Sequence, residues 1–150
     1  MAMLTEDFDA NRQEGVLITQ PIQEGKRIFK DSLVCYDGRG GYGGVGQGEL
    51  VPAEDKSGLI FAGVSFEGGK NPAQDISEDV YLKSEIRVLK EGVFEFDFDG
   101  TASDAIRGQE VVIINDHTVG LSSTANIVCG TVVGIVSATK VKIRINNYTS

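Results

Sequence analysis

Three groups of residues have the types and spacing from which chemistry is built. Glu95, Asp97 and Asp99 alternate with phenylalanines in residues 93–99. Paired carboxylates are the acid and base of glycoside hydrolysis, and the acidic run ending at Gly100 is of a kind that attracts calcium. His117 is the only histidine; Asp116 precedes it and Ser122 and Ser123 follow, the residue types of a nucleophilic triad. Gly41, Gly43 and Gly46 spell GxGxxG, the phosphate-binding fingerprint of dinucleotide folds.

The elements that would carry these groups argue against all three. Phe94, Phe96 and Phe98 fall on one face of a strand, and the three acids fall on the other. A helix would scatter the rings around its circumference, so the period is that of a strand with an aromatic face to bury and an acidic face for water. Residues two apart on an exposed face usually serve solubility, and residues 97–100 lack the remaining spacing of a calcium loop. His117 sits in a polar turn with no nucleophile-elbow pattern nearby, and a lone histidine cannot build a multi-histidine metal site. The GxGxxG run is followed by further glycine and by Pro52, which cannot open the helix that receives a pyrophosphate. The reading is therefore no catalytic residue, no cofactor and no metal.

The bulk properties bound the rest. The chain has 150 residues, enough for one core without staples. Its net charge of −8 and pI near 4.6 disfavour nucleic-acid and anionic-membrane partners. The first fifteen residues are polar and acidic, unlike a secretory signal, and no apolar run approaches a membrane span. Cys35 and Cys129 lie in apolar strand-like segments without CxxC spacing, which predicts two reduced, buried thiols.

Turn residues punctuate the chain at short intervals. Strands are expected at residues 16–21 and 26–36 with a turn at Gln23–Gly25 between them, and at 59–66, 93–99, 110–114, 119–121, 127–136 and 141–145; order restarts at 50–52, and residues 80–89 lead into the strand at 93–99. Gly130 and Gly134 predict a bulge in the segment 127–136. Single helical turns are expected near 73–79 and 103–108. The sum is an all-β fold, a small antiparallel barrel or sandwich. An extended arm, residues 1–15, precedes one domain, residues 16–150, and a glycine-rich loop spans residues 37–48.

Several segments taken together resemble the capsid cement, or head decoration, proteins of tailed bacteriophages. They are Phe61-Ala62-Gly63-Val64, the run from Val88 to Phe96, Ala105 with Gly108 to Val112, Gly130 to Val136, and Val141 to Ile145. Each alone is a Gly/Val strand; their order and spacing carry the resemblance. It implies a protein made in the host cytoplasm that ends on the exterior of the capsid. There it would form a homotrimer at threefold or quasi-threefold positions and clamp neighbouring major capsid subunits. The glycine-rich loop and the polar arm depart from the family pattern. Leu4, Phe8 and Arg12 on the arm and Arg39 and Tyr42 on the loop are the candidate partner contacts, since arginine and aromatic residues are enriched at interfaces. Another phage or bacterial structural β-module, a carbohydrate-binding domain and a hydrolase remain as alternatives.

The strand reading has a direct test. Phe96→Ser should cost about 3–5 kcal/mol and leave little folded protein, whereas Asp97→Asn should shift the urea midpoint negligibly. If both variants were equally stable, residues 93–99 would not be a strand with a buried aromatic face.

Overall fold

Twelve strands and one 3₁₀ turn make up the described part of the computed structural model, residues 17–38, 48–71 and 85–146. The expected arm, most of the glycine-rich loop and the expected helical turn at 73–79 lie outside it. In chain order the first strands are β1 (Leu17–Pro21), β2 (Lys26–Ile28), β3 (Leu33–Asp37), β4 (Leu50–Pro52), β5 (Leu59–Ser65), β6 (Gly69–Asn71) and β7 (Glu85–Leu89). They are followed by β8 (Glu91–Phe98), the 3₁₀ turn Asp104–Ile106, β9 (Glu110–Ile113), β10 (Thr118–Gly120), β11 (Val128–Ser137) and β12 (Lys140–Asn146). The all-β expectation holds.

The strands form three bodies. β1, β7, β5, β3 and β4 make an antiparallel sheet in that order, β2 and β6 make a two-stranded ribbon, and β10-β8-β12-β11-β9 close into a barrel. Both faces of the sheet are covered. Leu33, Cys35, Val51, Phe61 and Val64 pack with barrel residues such as Phe96, Ile113, Val132 and Ile143. Val34, Leu50, Ala62, Ile86 and Val88 pack with Ile22 and with Ile28 of the ribbon. Burial on two faces explains why β3 reads as a continuous apolar run, since its alternate residues feed different cores.

The phenylalanine strand is placed as its period requires. Phe96 and Phe98 are buried, Phe94 is half-buried with its ring centroid 6.4 Å from that of Phe96, and Glu95, Asp97 and Asp99 are exposed. Burying each of the two inner rings stabilises the fold by roughly 1.5–3 kcal/mol. β11 carries the expected irregularities: its pairing with β9 slips between Val128 and Gly130, and its pairing with β12 slips at Val133 and again at Val136. These bulges bend a long strand enough to close a small barrel. One barrel pairing departs from the antiparallel expectation, because β10 runs parallel to β8. The residues between β8 and β9 recross the barrel, so the β9–β10 hairpin returns beside β8 in the same direction.

The strand expected at 26–36 is two strands. The chain turns at Phe29–Ser32, where Asp31 takes a left-handed φ of 61°. Hydroxyls at both ends hold the turn against β5: Ser32 Oγ and Ser65 Oγ donate to the Phe29 carbonyl at 2.7 and 2.6 Å, and Asp31 N–H donates to the Ser65 carbonyl at 2.9 Å. Nor do β1 and β2 pair as a hairpin across Gln23–Gly25. β1 pairs with β7 and β2 with β6.

Gly63 and Gly108 provide the test of this packing. Gly63 has φ 147°, and a Cβ there would collide with the Leu89 carbonyl and lie 2.8 Å from Val88 Cγ1; Gly108 has φ 91° with nothing nearby. Gly63→Ala should lose about 3 kcal/mol or more in urea unfolding, combining strain with a backbone clash. Gly108→Ala should lose only about 1 kcal/mol. Equal losses would contradict the close approach of β5 to β7.

Candidate functional site

The residues that could do chemistry are dispersed over the barrel. β8 and β12 pair so that Lys140 lies opposite Asp97 and Lys142 opposite Glu95. Opposite charges in register stabilise a strand pair by tenths of a kcal/mol. The acids thus serve an exposed strand face with cations beside them. The exposed His117 has its Nδ1 3.0 Å from Oδ1 of its half-buried neighbour Asp116, and Ser123 Oγ accepts from the Asn126 N–H within its own turn. Among the described residues no three His, Cys, Asp or Glu side chains are grouped as metal ligands. Cys35 and Cys129 are free and buried, and burial pushes both thiols up to about 12. At neutral pH they are uncharged apolar filler at the join of sheet and barrel.

All five predicted contact residues, Leu4, Phe8, Arg12, Arg39 and Tyr42, lie outside the described residues, as do Gly41, Gly43 and Gly46. The base of the glycine loop is described. Gly48 N–H donates to the Asp37 carbonyl at 2.9 Å and Asp37 N–H to the Glu49 carbonyl at 3.0 Å, and a strand, not a helix, follows.

The surfaces that could make contact are ones sequence reasoning passed over. Two arginines stack on exposed phenylalanines. Arg27 Cζ lies 4.8 Å from the Phe29 ring centroid and Arg87 Cζ 4.6 Å from that of Phe66. Arg87 is also gripped by Glu67, with Nε to Oε2 at 3.0 Å and Nη2 to Oε1 at 3.3 Å, which raises its already high pKa. On the barrel, Val93, Val128, Val133 and Val136 are exposed, and Val133 and Val136 are the two residues that the bulges exclude from pairing. A bulge re-aims the side chain it displaces. The alternation visible in sequence gave no cue to the exposed valines of β11, because bulges break alternation, nor to the stack of Arg87 on Phe66, which joins residues distant in sequence.

Lys90 is a buried cation that sequence reasoning left unremarked. It is 7% exposed, and its Nζ donates to Tyr36 Oη and to the Ala62 carbonyl, both at 2.7 Å. Asp55 ties the β4–β5 turn to the barrel loop after β10, accepting from Thr124 N–H at 3.0 Å and Ala125 N–H at 2.8 Å. Comparisons of the chain with family models, with curated proteins and with solved structures found no match.

The Asp55 tether has a pH signature. The Ala125 and Thr124 amides hold its carboxyl below its ordinary 3.8. A depressed folded-state pKa means that the unfolded chain binds the proton first. The tether's stabilisation is therefore complete above the unfolded value and disappears as pH falls through the folded one. Wild type should exceed Asp55→Asn in Tm at pH 6, and the gap should close as the pH falls below 3.8 and through the depressed folded-state value. A gap that did not narrow with acid would remove the carboxylate from the tether.

Proposed function

We propose that this protein is a capsid decoration protein of a tailed bacteriophage, a contact module and not an enzyme. It binds the outside of the expanded head as a trimer at threefold or quasi-threefold positions and strengthens contacts between major capsid subunits. The observation that carries the reading is that the segments of the sequence resemblance are neighbours in space as well as in order. Residues 61–64 lie in β5, residues 88–96 run from β7 into β8, residues 105–112 cover the 3₁₀ turn and most of β9, and residues 130–136 and 141–145 lie in β11 and β12. β8 pairs with β12, β12 with β11 and β11 with β9. The matched residues are thus one continuous barrel wall and its attachment to the central sheet.

The physical basis would be linkage. A ligand that binds only the expanded shell adds its binding free energy to that state. A trimer multiplies modest contacts by engaging several subunits at once. The exposed valines of β11 and the arginine–phenylalanine stacks supply apolar and amphipathic contact area on rigid strands.

The test is co-sedimentation of purified protein with expanded empty heads, alongside light scattering of the free protein. The expected result is saturable binding, heads more resistant to heat, and a trimeric mass free or bound. Absence from every expanded shell tested would overturn the proposal.

A further inference from the structure

Beyond Phe98, where β8 ends, Asp99 and Gly100 form an exposed bend. The Asp99 N–H donates to the Val119 carbonyl at 2.8 Å, and the next anchor is the Ala102 N–H on the Ala138 carbonyl at 2.7 Å. Between those two points, nothing among the described residues bonds the Asp99 carbonyl, the Asp99 carboxylate or the Gly100 N–H. Gly100 has φ 119°, and a Cβ there would meet only the Phe98 ring, at 3.5 Å. Two other aspartates of the chain precede glycine or serine, and no asparagine does. In both the reacting groups are held. Asp37, before Gly38, is 4% exposed and its Oδ2 accepts from Gln23 Nε2 at 2.9 Å. Asp31 precedes Ser32, whose N–H donates to Ser65 Oγ at 3.0 Å in the interior.

We infer that Asp99 is a modification site, converting spontaneously to isoaspartate in the folded protein through a succinimide closed on the Gly100 amide. The Gly100 nitrogen bonds to Asp99 Cγ, and its proton leaves with the carboxyl hydroxyl as water. Glycine permits this approach because it has no side chain to crowd the attacking nitrogen. Water then opens the ring. Attack at Cγ restores aspartate; attack at the Asp99 α-carbonyl carbon breaks its bond to the Gly100 nitrogen and leaves the chain running through Cβ and Cγ. The water released in closure is replaced in opening, so the net change is an isomerisation without oxidant or cofactor. Closure requires the peptide between the two residues to rotate. At Asp99 that rotation breaks no hydrogen bond, whereas at Asp37 and Asp31 it disturbs buried ones. The product adds one methylene to the main chain between the Asp99 and Ala102 anchors. The exposed Gly100 and Thr101 absorb it, so the barrel stays closed. The chemistry needs only this chain and water, and it stands apart from the capsid reading.

The test is to hold the full-length protein in neutral buffer, native in one sample and unfolded in guanidinium chloride in another, until the unfolded chain carries isoaspartate at both Asp37 and Asp99. Isoaspartate is counted by enzymatic methylation of its α-carboxylate with labelled S-adenosylmethionine and placed by electron-transfer fragmentation of peptides. The native protein should acquire it at Asp99 and stay unmodified at Asp37 and Asp31. Asp99→Glu should abolish the native signal, because its ring would be one atom larger. Asp99 is exposed, so the urea midpoint of that variant should stay close to wild type. Asp99→Asn should react faster, with the mass gain of amide hydrolysis, because ammonia departs more readily than hydroxide. A native Asp99 that stays unmodified, a native Asp37 that reacts as fast, methylation undiminished in Asp99→Glu, or no acceleration in Asp99→Asn would each overturn the inference.

Discussion

The structure depends on the approach of β5 to the end of β7 at Gly63. There β5 carries one residue more than its partner: Val34 pairs with Gly63 and Cys35 with Phe61, which leaves Ala62 out of register. The extra residue inverts the phase of the strand. Before it, Phe61 faces the barrel and Ala62 the ribbon; after it, Val64 faces the barrel and Ser65 reaches the ribbon side to grip the Phe29 carbonyl. The carbonyl of Ala62 is taken by Lys90. Lys90 is the one residue between β7 and β8, so the group that satisfies the bulge also fixes the point where the chain leaves the sheet for the barrel. Its charge is costly to bury. Two short charge-assisted hydrogen bonds and a ring centroid 4.7 Å away offset that cost.

Once that crossing is fixed, the barrel follows from ordinary packing. Five strands enclose too little space for a cavity, and Val111, Ile113, Val119, Val132, Val141, Ile143 and Ile145 fill it. Two of the barrel's inner groups, Cys129 and Val132, share a core with Cys35 and Val51 from the sheet, so neither body is packed without the other. The Asp55 tether joins loops of the two bodies, and the hydrogen bond from Leu33 N–H, at the start of β3, to the Asp116 carbonyl joins the sheet to the turn between β9 and β10. Sheet and barrel are coupled by apolar contact and by hydrogen bonds to backbone groups of the barrel loops.

Legibility in sequence divides along the same line. β8 and β12 were readable because local alternation decides them, β9 because its residues are β-branched, and β11 because it is an apolar run whose glycines marked its first two irregularities correctly. The three-bodied arrangement was not readable. Nothing local distinguishes a hairpin at Gln23–Gly25 from two strands that leave for β7 and β6, since both begin with the same turn. The break at Phe29–Ser32 was hidden because its cause, the hydroxyl of Ser65, is a long-range partner. The stack of Arg87 on Phe66 and the burial of Lys90 against Tyr36 and Ala62 depend on strands distant in sequence meeting in three dimensions. Candidate contacts chosen from composition fell on the arm and the glycine loop, whereas the amphipathic surfaces that the structure displays lie on strands and short turns.

The charges follow from this geometry. On the barrel, acids and bases occupy facing positions of β8 and β12, so local fields largely cancel and the strand face is a solubilising one. On the ribbon, cations face one another and an aromatic ring is exposed beside them. The acidic strand first suggested chemistry; with Lys140 opposite Asp97 and Lys142 opposite Glu95, it is instead a solvated strand face whose charges are answered across the pairing.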